Sequence, residues 1–278
     1  MQPYYSDRCV ELYLGDAIEV LAGGGLVGDV IVTDPPYGET SFGWDSWPAG
    51  WPSALAASAR QLWCFGSMRM FLAHAAEFDD WKLAQDVVWE KHNGAGFAAD
   101  RFRRVHELAL HWYQGRWSEL YHEVPKTFDA KARVVRRAPT APRWHGARNG
   151  NLYTTSDGGP RLMRSVIKVR SEHRRSTNET QKPLGIVSPL IEFSCPPRGL
   201  VLDPFAGAGT TLVATKMLGR RAIGVELRED QCEAAARRLQ ATQPAERLDC
   251  LLLDRPGYAD GSPPGQPATG AAGVHDIT

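Results

Sequence analysis

Two hundred and seventy-eight residues with 43% hydrophobic content suffice for one substantial core, or one core plus an inserted subdomain. A charged fraction of 23% excludes whole-chain disorder, and no apolar run approaches the roughly 18 residues that span a bilayer, so no membrane partner is expected. Met1 to Asp7 lacks the pattern of a signal peptide, and the five scattered cysteines form no C-x-x-C pair, which predicts a soluble cytoplasmic chain with reduced thiols rather than a disulfide framework or a zinc site.

The first predicted strand is Cys9 to Leu14, followed by Gly15-Asp16 and a short helical pattern to Leu21. Val30 to Thr33 is a compact apolar run, closed by Asp34-Pro35-Pro36-Tyr37, where two prolines stop any regular ladder and impose a loop. A helix is predicted over Pro52 to Arg60, then strands over Leu62 to Phe65, Asp86 to Trp89 and His106 to Tyr113. From about Gly115 the rhythm breaks into a segment rich in Arg, His, Trp and Pro with weak periodicity, as in a loop-rich insert with a thin core. Regular order returns with a helix over Leu184 to Cys195, a strand Leu200 to Leu202, a helix Thr210 to Leu218, a strand Ala222 to Glu226 and a helix Glu229 to Leu239. Strands alternating with helices predict an α/β sheet, and the Gly-, Pro- and Ala-rich stretch 255–278 predicts a disordered tail.

Net charge misleads here. Thirty-two basic and 32 acidic residues cancel, yet Arg101 to Arg175 holds 17 Lys or Arg against 6 Asp or Glu, a net of +11. The remainder holds 15 against 26, a net of −11. A solvated charged face would mix the signs; such segregation points to a polyanion, with nucleic acid the first candidate.

Two motifs carry chemistry. Leu200 to Thr211 is a strand, a turn of small residues and a helix start: Asp203-Pro204-Phe205-Ala206-Gly207-Ala208-Gly209-Thr210-Thr211. The small residues let a ligand approach the backbone, and the helix presents free N–H groups. Glu226 ends the next strand 19 positions beyond Gly207, where a carboxylate can grip ribose hydroxyls. On these residues alone the ligand is a nucleoside-bearing cofactor, with NAD and S-adenosylmethionine both open; no Gly-Lys-Ser/Thr follows, which excludes a P-loop.

The second motif is Thr33 followed by Asp34-Pro35-Pro36-Tyr37, at the carboxyl end of a buried strand where α/β ligands bind. Here the sequence resembles the amino-methyltransferases that modify exocyclic amines of DNA bases, adenine N6 or cytosine N4. Asp34 to Tyr37 matches the family's catalytic signature and Asp203 to Thr210 its cofactor signature. Gln181-Lys182-Pro183 is similar to the lead-in to the cofactor motif, and Trp89-Glu90-Lys91 to the central region. The resemblance covers roughly Cys9 to Leu239. It implies a Rossmann-like, S-adenosylmethionine-dependent methyltransferase sheet with the β-group motif order, a circular permutation of the common fold. Residues 1–114 would form the catalytic half, 115–170 an inserted target-recognition region and 171–254 the cofactor-binding half. It further implies cofactor contacts from Asp16, Thr33, Gln181 and Lys182 beside those of the glycine turn and Glu226, and double-stranded DNA as partner; a homodimer and a restriction endonuclease acting on the same site are left open.

The residue types suit the chemistry. The lone pair of an adenine N6 amine is delocalised into the ring, so both amine hydrogens need acceptors before nitrogen can pyramidalise. Asp34 and the Pro35 carbonyl can supply them, with Pro35 and Pro36 holding that carbonyl in a fixed direction. Tyr37 can stack on a base that has been flipped out of the duplex. The donor is already activated, no metal is required, and the eight histidines read as groove or core residues. Cys195 precedes Pro196, the wrong order for a cytosine-C5 nucleophile, and reads as a buried thiol. Asp16 reads equally as a helix N-cap, and packing is expected of at least two of Trp44, Trp47 and Trp51. Arg133, Arg136 and Arg137 suit phosphate tracking; Arg143, His145, Arg148, Asn149 and Asn151 are the candidates for base readout.

Adenine N6 is favoured over cytosine N4 because family members acting on cytosine more often carry Ser at the position of Asp34. A catalytically idle DNA-binding regulator would not need both Asp34 and Tyr37. An NAD-dependent oxidoreductase leaves the whole Asp34 to Tyr37 loop unexplained.

Overall fold

The structure of the protein, a computed structural model, describes residues 2–95, 99–137, 151–170 and 181–244. In chain order its strands are β1 (Tyr5–Ser6), β2 (Val10–Leu14), β3 (Val30–Thr33), β4 (Gln61–Gly66), β5 (Lys82–Ala95), β6 (Arg104–Tyr113), β7 (Lys126–Thr127), β8 (Arg133–Arg137), β9 (Asn151–Thr155), β10 (Arg161–Leu162), β11 (Val166–Lys168), β12 (Leu200–Asp203) and β13 (Arg221–Glu226). The helices are α1 (Trp51–Ala54), α2 (Met68–Ala73), α3 (Leu184–Ser194), α4 (Thr210–Met217) and α5 (Glu229–Ala241), with one π-helical turn at Ile18–Ala22.

Nine strands form one sheet in the order β1-β2-β13-β12-β3-β4-β6-β5-β11. From β2 to β4 every neighbouring pair is parallel, so the loops after β2, β13, β12, β3 and β4 emerge on one edge. The chain leaves β3 towards β4 and β12 towards β13, which makes the gap between β3 and β12 a topological switch point. Strand β6 is antiparallel to both β4 and β5. Its beginning, near Glu107, and the far end of β5, near Lys91, therefore arrive at that same edge.

The core follows the period of two. Val30 and Val32 of β3 point into a cluster with Trp63, Phe65, Ile186 and Leu190, beneath α3. Ile31 points to the opposite face, with Leu62, Trp51, Phe78 and Leu202. Both faces of the central strands are covered, as parallel sheets require. His111 lies in this core, stacked 4.3 Å from the Trp63 ring, and burial pulls its pKa down to about 3, so it stays neutral. Cys195 is fully buried and its thiol is pushed up to about 12.

Three elements differ from the sequence expectation. The helix predicted over Pro52 to Arg60 ends after Ala54: the chain continues through turns bonded Ala56 to Ser53 and Ser58 to Leu55, and the Ser58 carbonyl turns outward to accept from the Gly28 N–H. Trp51, Leu55 and Ala59 keep their helical spacing as buried contacts, so tertiary packing overrides the propensity of the alanine-rich run. Helix α2 is additional, started by the Ser67 hydroxyl accepting from the Met70 N–H at 3.0 Å. Strand β5 extends well beyond Asp86 to Trp89, with register shifts after Leu83 and Glu90. The interval 115–170 holds short antiparallel pairs, β7 with β10 and β8 with β9. Its last strand, β11, nevertheless joins the main sheet parallel to β5. The tail 255–278 lies outside the described residues. Among those residues no helix is long and apolar enough to cross a membrane.

Candidate active site

The switch point brings the two sequence motifs side by side. Strands β3 and β12 are paired, and at their ends the Thr33 hydroxyl donates to Asp203 Oδ1 at 2.8 Å, both side chains being buried. Asp203 also accepts from the Phe205 N–H at 3.2 Å and is held by the Thr211 hydroxyl. Burial pushes its carboxyl up to about 7, against the pull of those donors. Thr33 and Asp203 thus join the Asp34 loop to the glycine turn from below.

The glycine turn is stitched to its neighbours through backbone. Ala206 donates to the Val225 carbonyl at 2.9 Å and Gly15 to the Glu226 carbonyl at 3.0 Å. The Glu226 carboxylate accepts from the Gly207 N–H at 2.8 Å and the Arg228 N–H at 2.9 Å. Burial raises its pKa, and these two donors oppose the rise. Gly207 takes φ +51° with open space where a Cβ would stand. Gly209, at φ +77°, sits so close to α5 that a Cβ would lie 2.9 Å from that of Ala235. One glycine leaves room above the turn, and the other lets the helix close beneath it. Pro204, Ala206 and Thr210 are buried, and Phe205 packs edge-on against Trp51 at 5.3 Å. Asp16 is exposed, and its carboxylate caps the following turn by accepting from the N–H groups of Ile18 and Glu19.

At the Asp34 loop, Pro35 is buried and Pro36 and Tyr37 half-buried. Asp34 Oδ1 accepts from the Tyr37 hydroxyl at 2.5 Å and Oδ2 from Lys182 Nζ at 2.5 Å. Lys182 also lies 2.8 Å from Glu107 Oε1, and Lys91 Nζ pairs with Glu107 Oε2. The ammonium of Lys182, a residue expected on the cofactor, stands on Asp34 and Glu107, beside the rings of Tyr37 and Phe65. Tyr37 keeps a ring that can face a base, but its hydroxyl belongs to the carboxylate. Burial and the nearby carboxylates push that hydroxyl's pKa well above the phenolic range.

Glu107 is the residue that sequence reasoning missed. The signal was an acid inside the apolar strand His106-Glu107-Leu108-Ala109-Leu110, which demands a cationic partner if buried. Both partners came from other strands and loops.

After Tyr37 the chain forms a tight loop in which the Asp45 carboxylate accepts from the N–H groups of Gly38, Glu39 and Thr40. Trp47 stacks on His74 at 4.2 Å and Trp51 is fully buried, so two of the three tryptophans pack inward. Trp44 is exposed, stacked with Phe42 and 5.6 Å from the Arg228 guanidinium. Arg133 and Arg136 are exposed on β8, and by strand alternation they face opposite sides of the β8–β9 ribbon. Arg137 and Asn151 pair across its end, while Arg143, His145, Arg148 and Asn149 lie outside the described residues. Among the described residues no three His, Cys, Asp or Glu side chains gather as a metal-binding group.

Comparison with known proteins bears on the same loops. A family model for N6 and N4 methyltransferases, described as DNA methylase, matches residues 28–237, from the turn before β3 to within α5. The type II methyltransferase M.ScaI of Streptomyces caespitosus is 27% identical over 267 residues, covering 86% of this chain and 84% of its own. Among solved structures, the complex of M1.HpyAVI with S-adenosylmethionine superposes with a TM-score of 0.56 at 21% identity, over 83% of this chain and 99% of that one. The cytosine-N4-specific PvuII DNA methyltransferase gives a TM-score of 0.60 at 12% identity, over 85% and 88%. At these identities the two structures share the fold.

Proposed function

Because the chain belongs to the N6/N4 DNA methylase family, we propose that it methylates the N6 amine of adenine at a defined sequence in double-stranded DNA, with S-adenosylmethionine as donor. The observation that carries this reading is the Asp34 carboxylate at the carboxyl edge, flanked by Tyr37 and Lys182 and tied through Thr33 and Asp203 to the glycine turn. Cytosine N4 would use the same acceptors; Asp rather than Ser at position 34 favours adenine.

The residues at the edge suit the donor. The open space over Gly207, the Glu226 carboxylate at its side, the half-exposed Phe205 and the exposed Asp16 form a wall for a nucleoside. When bound, S-adenosylmethionine supplies a methyl group already activated on a sulfonium. The chain's own residues do the rest. Asp34 and the Pro35 carbonyl accept hydrogen bonds from the two N–H groups of the target amine, freeing its lone pair, and their rigid setting means little reorganisation is needed. The Tyr37 ring offers a face to the extruded base. The basic insert 115–170 would bear on the duplex, with Arg133, Arg136 and Arg137 on phosphates. The motif order, catalysis before cofactor binding, fits a circular permutation with halves 1–114 and 171–254. A homodimer, a cytoplasmic setting and a cognate endonuclease belong to the same proposal.

Long-read sequencing of unmethylated DNA incubated with the protein and S-adenosylmethionine tests it. The expected product is N6-methyladenine at one recurring sequence. N4-methylcytosine there would reassign the base, and absence of any modified base would overturn the activity.

A further inference from the structure

The ionic cluster beneath the Asp34 loop has a composition that packing alone does not call for. Asp34, Lys182, Glu107 and Lys91 alternate in sign along a chain of contacts, two carboxylates and two ammoniums with a formal sum of zero. Lys182 and Glu107 are each 9% exposed, and Lys91 and Asp34 are 21% and 25% exposed. Charges so withdrawn from water are tolerated only as a compensated set; removing one strands another. The members come from four elements: the loop after β3, the segment before α3, the start of β6 and the end of β5.

Resting on the adenine-methylation reading and deepening it, we propose that Lys182 and Glu107 are positioning residues that set the charge state of Asp34. Lys182 keeps the carboxylate ionised in its buried setting, while Glu107, braced by Lys91, holds Lys182 in place and limits its pull.

The chemistry makes that charge decisive. An amine whose N–H groups must both be hydrogen-bonded to free the lone pair, and which gives up one proton once methylated, needs an acceptor; a protonated carboxyl would offer a donor on one oxygen instead. Burial drives the Asp34 carboxyl above its ordinary range, Lys182 draws it down, and Glu107 pushes it up as a like charge. Lys182 itself is raised by both carboxylates, and Glu107 is lowered to about 2 by its two lysines. The other titratable groups facing Asp34 are the Tyr37 hydroxyl, the buried Cys64 thiol on β4 and Asp203 on β12. None of these three is a cation, which leaves Lys182 as the counter-charge in contact with Asp34 among the described residues. Each carboxylate oxygen retains a second lone pair, so the amine can approach without evicting Lys182 or Tyr37.

The test compares Lys182→Met, Lys182→Arg and Glu107→Gln with Asp34→Asn, in the full chain. Carbon-13 NMR of labelled aspartate carboxyls, with Asp34 assigned by its loss in Asp34→Asn, reads the Asp34 titration directly. Single-turnover methylation against pH reads its consequence. In Lys182→Met the Asp34 midpoint should rise by about one pH unit or more, and the acidic limb of the rate profile should rise with it. Lys182→Arg should restore both, and Glu107→Gln should move the midpoint down. Calorimetric affinity for S-adenosylmethionine should stay at the wild-type value in all three. An unmoved midpoint in Lys182→Met, a shift of the same sign in Glu107→Gln, or lost cofactor affinity would overturn the proposal. Should Lys182→Met not fold, the near-isosteric Glu107→Gln decides by the sign of its shift, and an unmoved midpoint there overturns it. Full activity in Asp34→Asn would also overturn it, since a neutral acceptor would then suffice, whereas absence of N6-methyladenine from the wild-type product would sink the adenine-methylation reading beneath it.

Discussion

The carboxyl edge and the β8–β9 ribbon handle charge in opposite ways. At the edge, Asp34, Lys182, Glu107 and Lys91 are set against one another with little contact with water. On the ribbon, Arg133 and Arg136 stand exposed on opposite faces, with Val134 and Leu152 also 67% and 61% exposed. Buried, compensated charge is held in one geometry and resists screening, which suits steering a reaction. Exposed charge is screened by salt and free to adapt, which suits reaching a duplex of any sequence. The zero net charge of the chain hides two populations with different physics.

The sharpest way to break this contrast is Asp34→Ala. Loss of a preorganised acceptor should cost about 2.7–4 kcal/mol, on the order of 10²–10³ in single-turnover rate. Lys182 and Lys91 are then left to share Glu107, so some thermal stability should be lost, while cofactor affinity should hold. A rate above a tenth of wild type in rapid-quench assays would remove Asp34 from the chemistry.

Next in size is Glu226→Ala. A charge-assisted bond to a ribose contributes roughly 1.5–3 kcal/mol, so the dissociation constant for S-adenosylmethionine should rise on the order of 10-fold or more. Glu226 also holds the Gly207 and Arg228 N–H groups, one on each oxygen, so Glu226→Gln, which keeps an acceptor for one of them, should recover part of the thermal stability but not the full affinity. Unchanged affinity in both variants would make Glu226 a brace for the turn and nothing more.

The smallest effect per residue is expected on the ribbon. Neutralising Arg133, Arg136 and Arg137 together should weaken DNA binding at specific and scrambled sequences alike. The slope of log affinity against log salt should fall by about 0.9 for each phosphate that is no longer neutralised. Because β8 turns Arg133 and Arg136 to opposite faces, single variants should divide that fall unequally. An unchanged slope in fluorescence titrations at several salt concentrations would take the phosphate role away from the ribbon.

The parts of the site written in consecutive residues are legible in the sequence. Asp34 to Tyr37 and Asp203 to Thr211 each depend on local chemistry: prolines that force a loop, small residues that open a turn, a strand that delivers both to one edge. The meeting of Lys182 with Glu107 is not legible, because it depends on the antiparallel pairing of β6 with β4 and β5. A run of residues specifies a strand far better than it specifies that strand's direction and neighbours. The same limit explains the shortened α1, where a carbonyl drawn to Gly28 outweighed good helix formers. The break in rhythm suggests an insert over 115–170, but β11, within that interval, pairs with β5 in the main sheet.

The reach of the site along the chain carries a consequence for how the protein acquires activity. Asp34 meets Lys182 across 148 positions, and Thr33 meets Asp203 across 170. Contacts of such sequence separation close late, because the intervening chain must first be confined. During refolding, secondary structure and tryptophan burial should therefore run ahead of methylation competence. The lag between them measures the time taken to bring the two halves of the sheet together at β3 and β12.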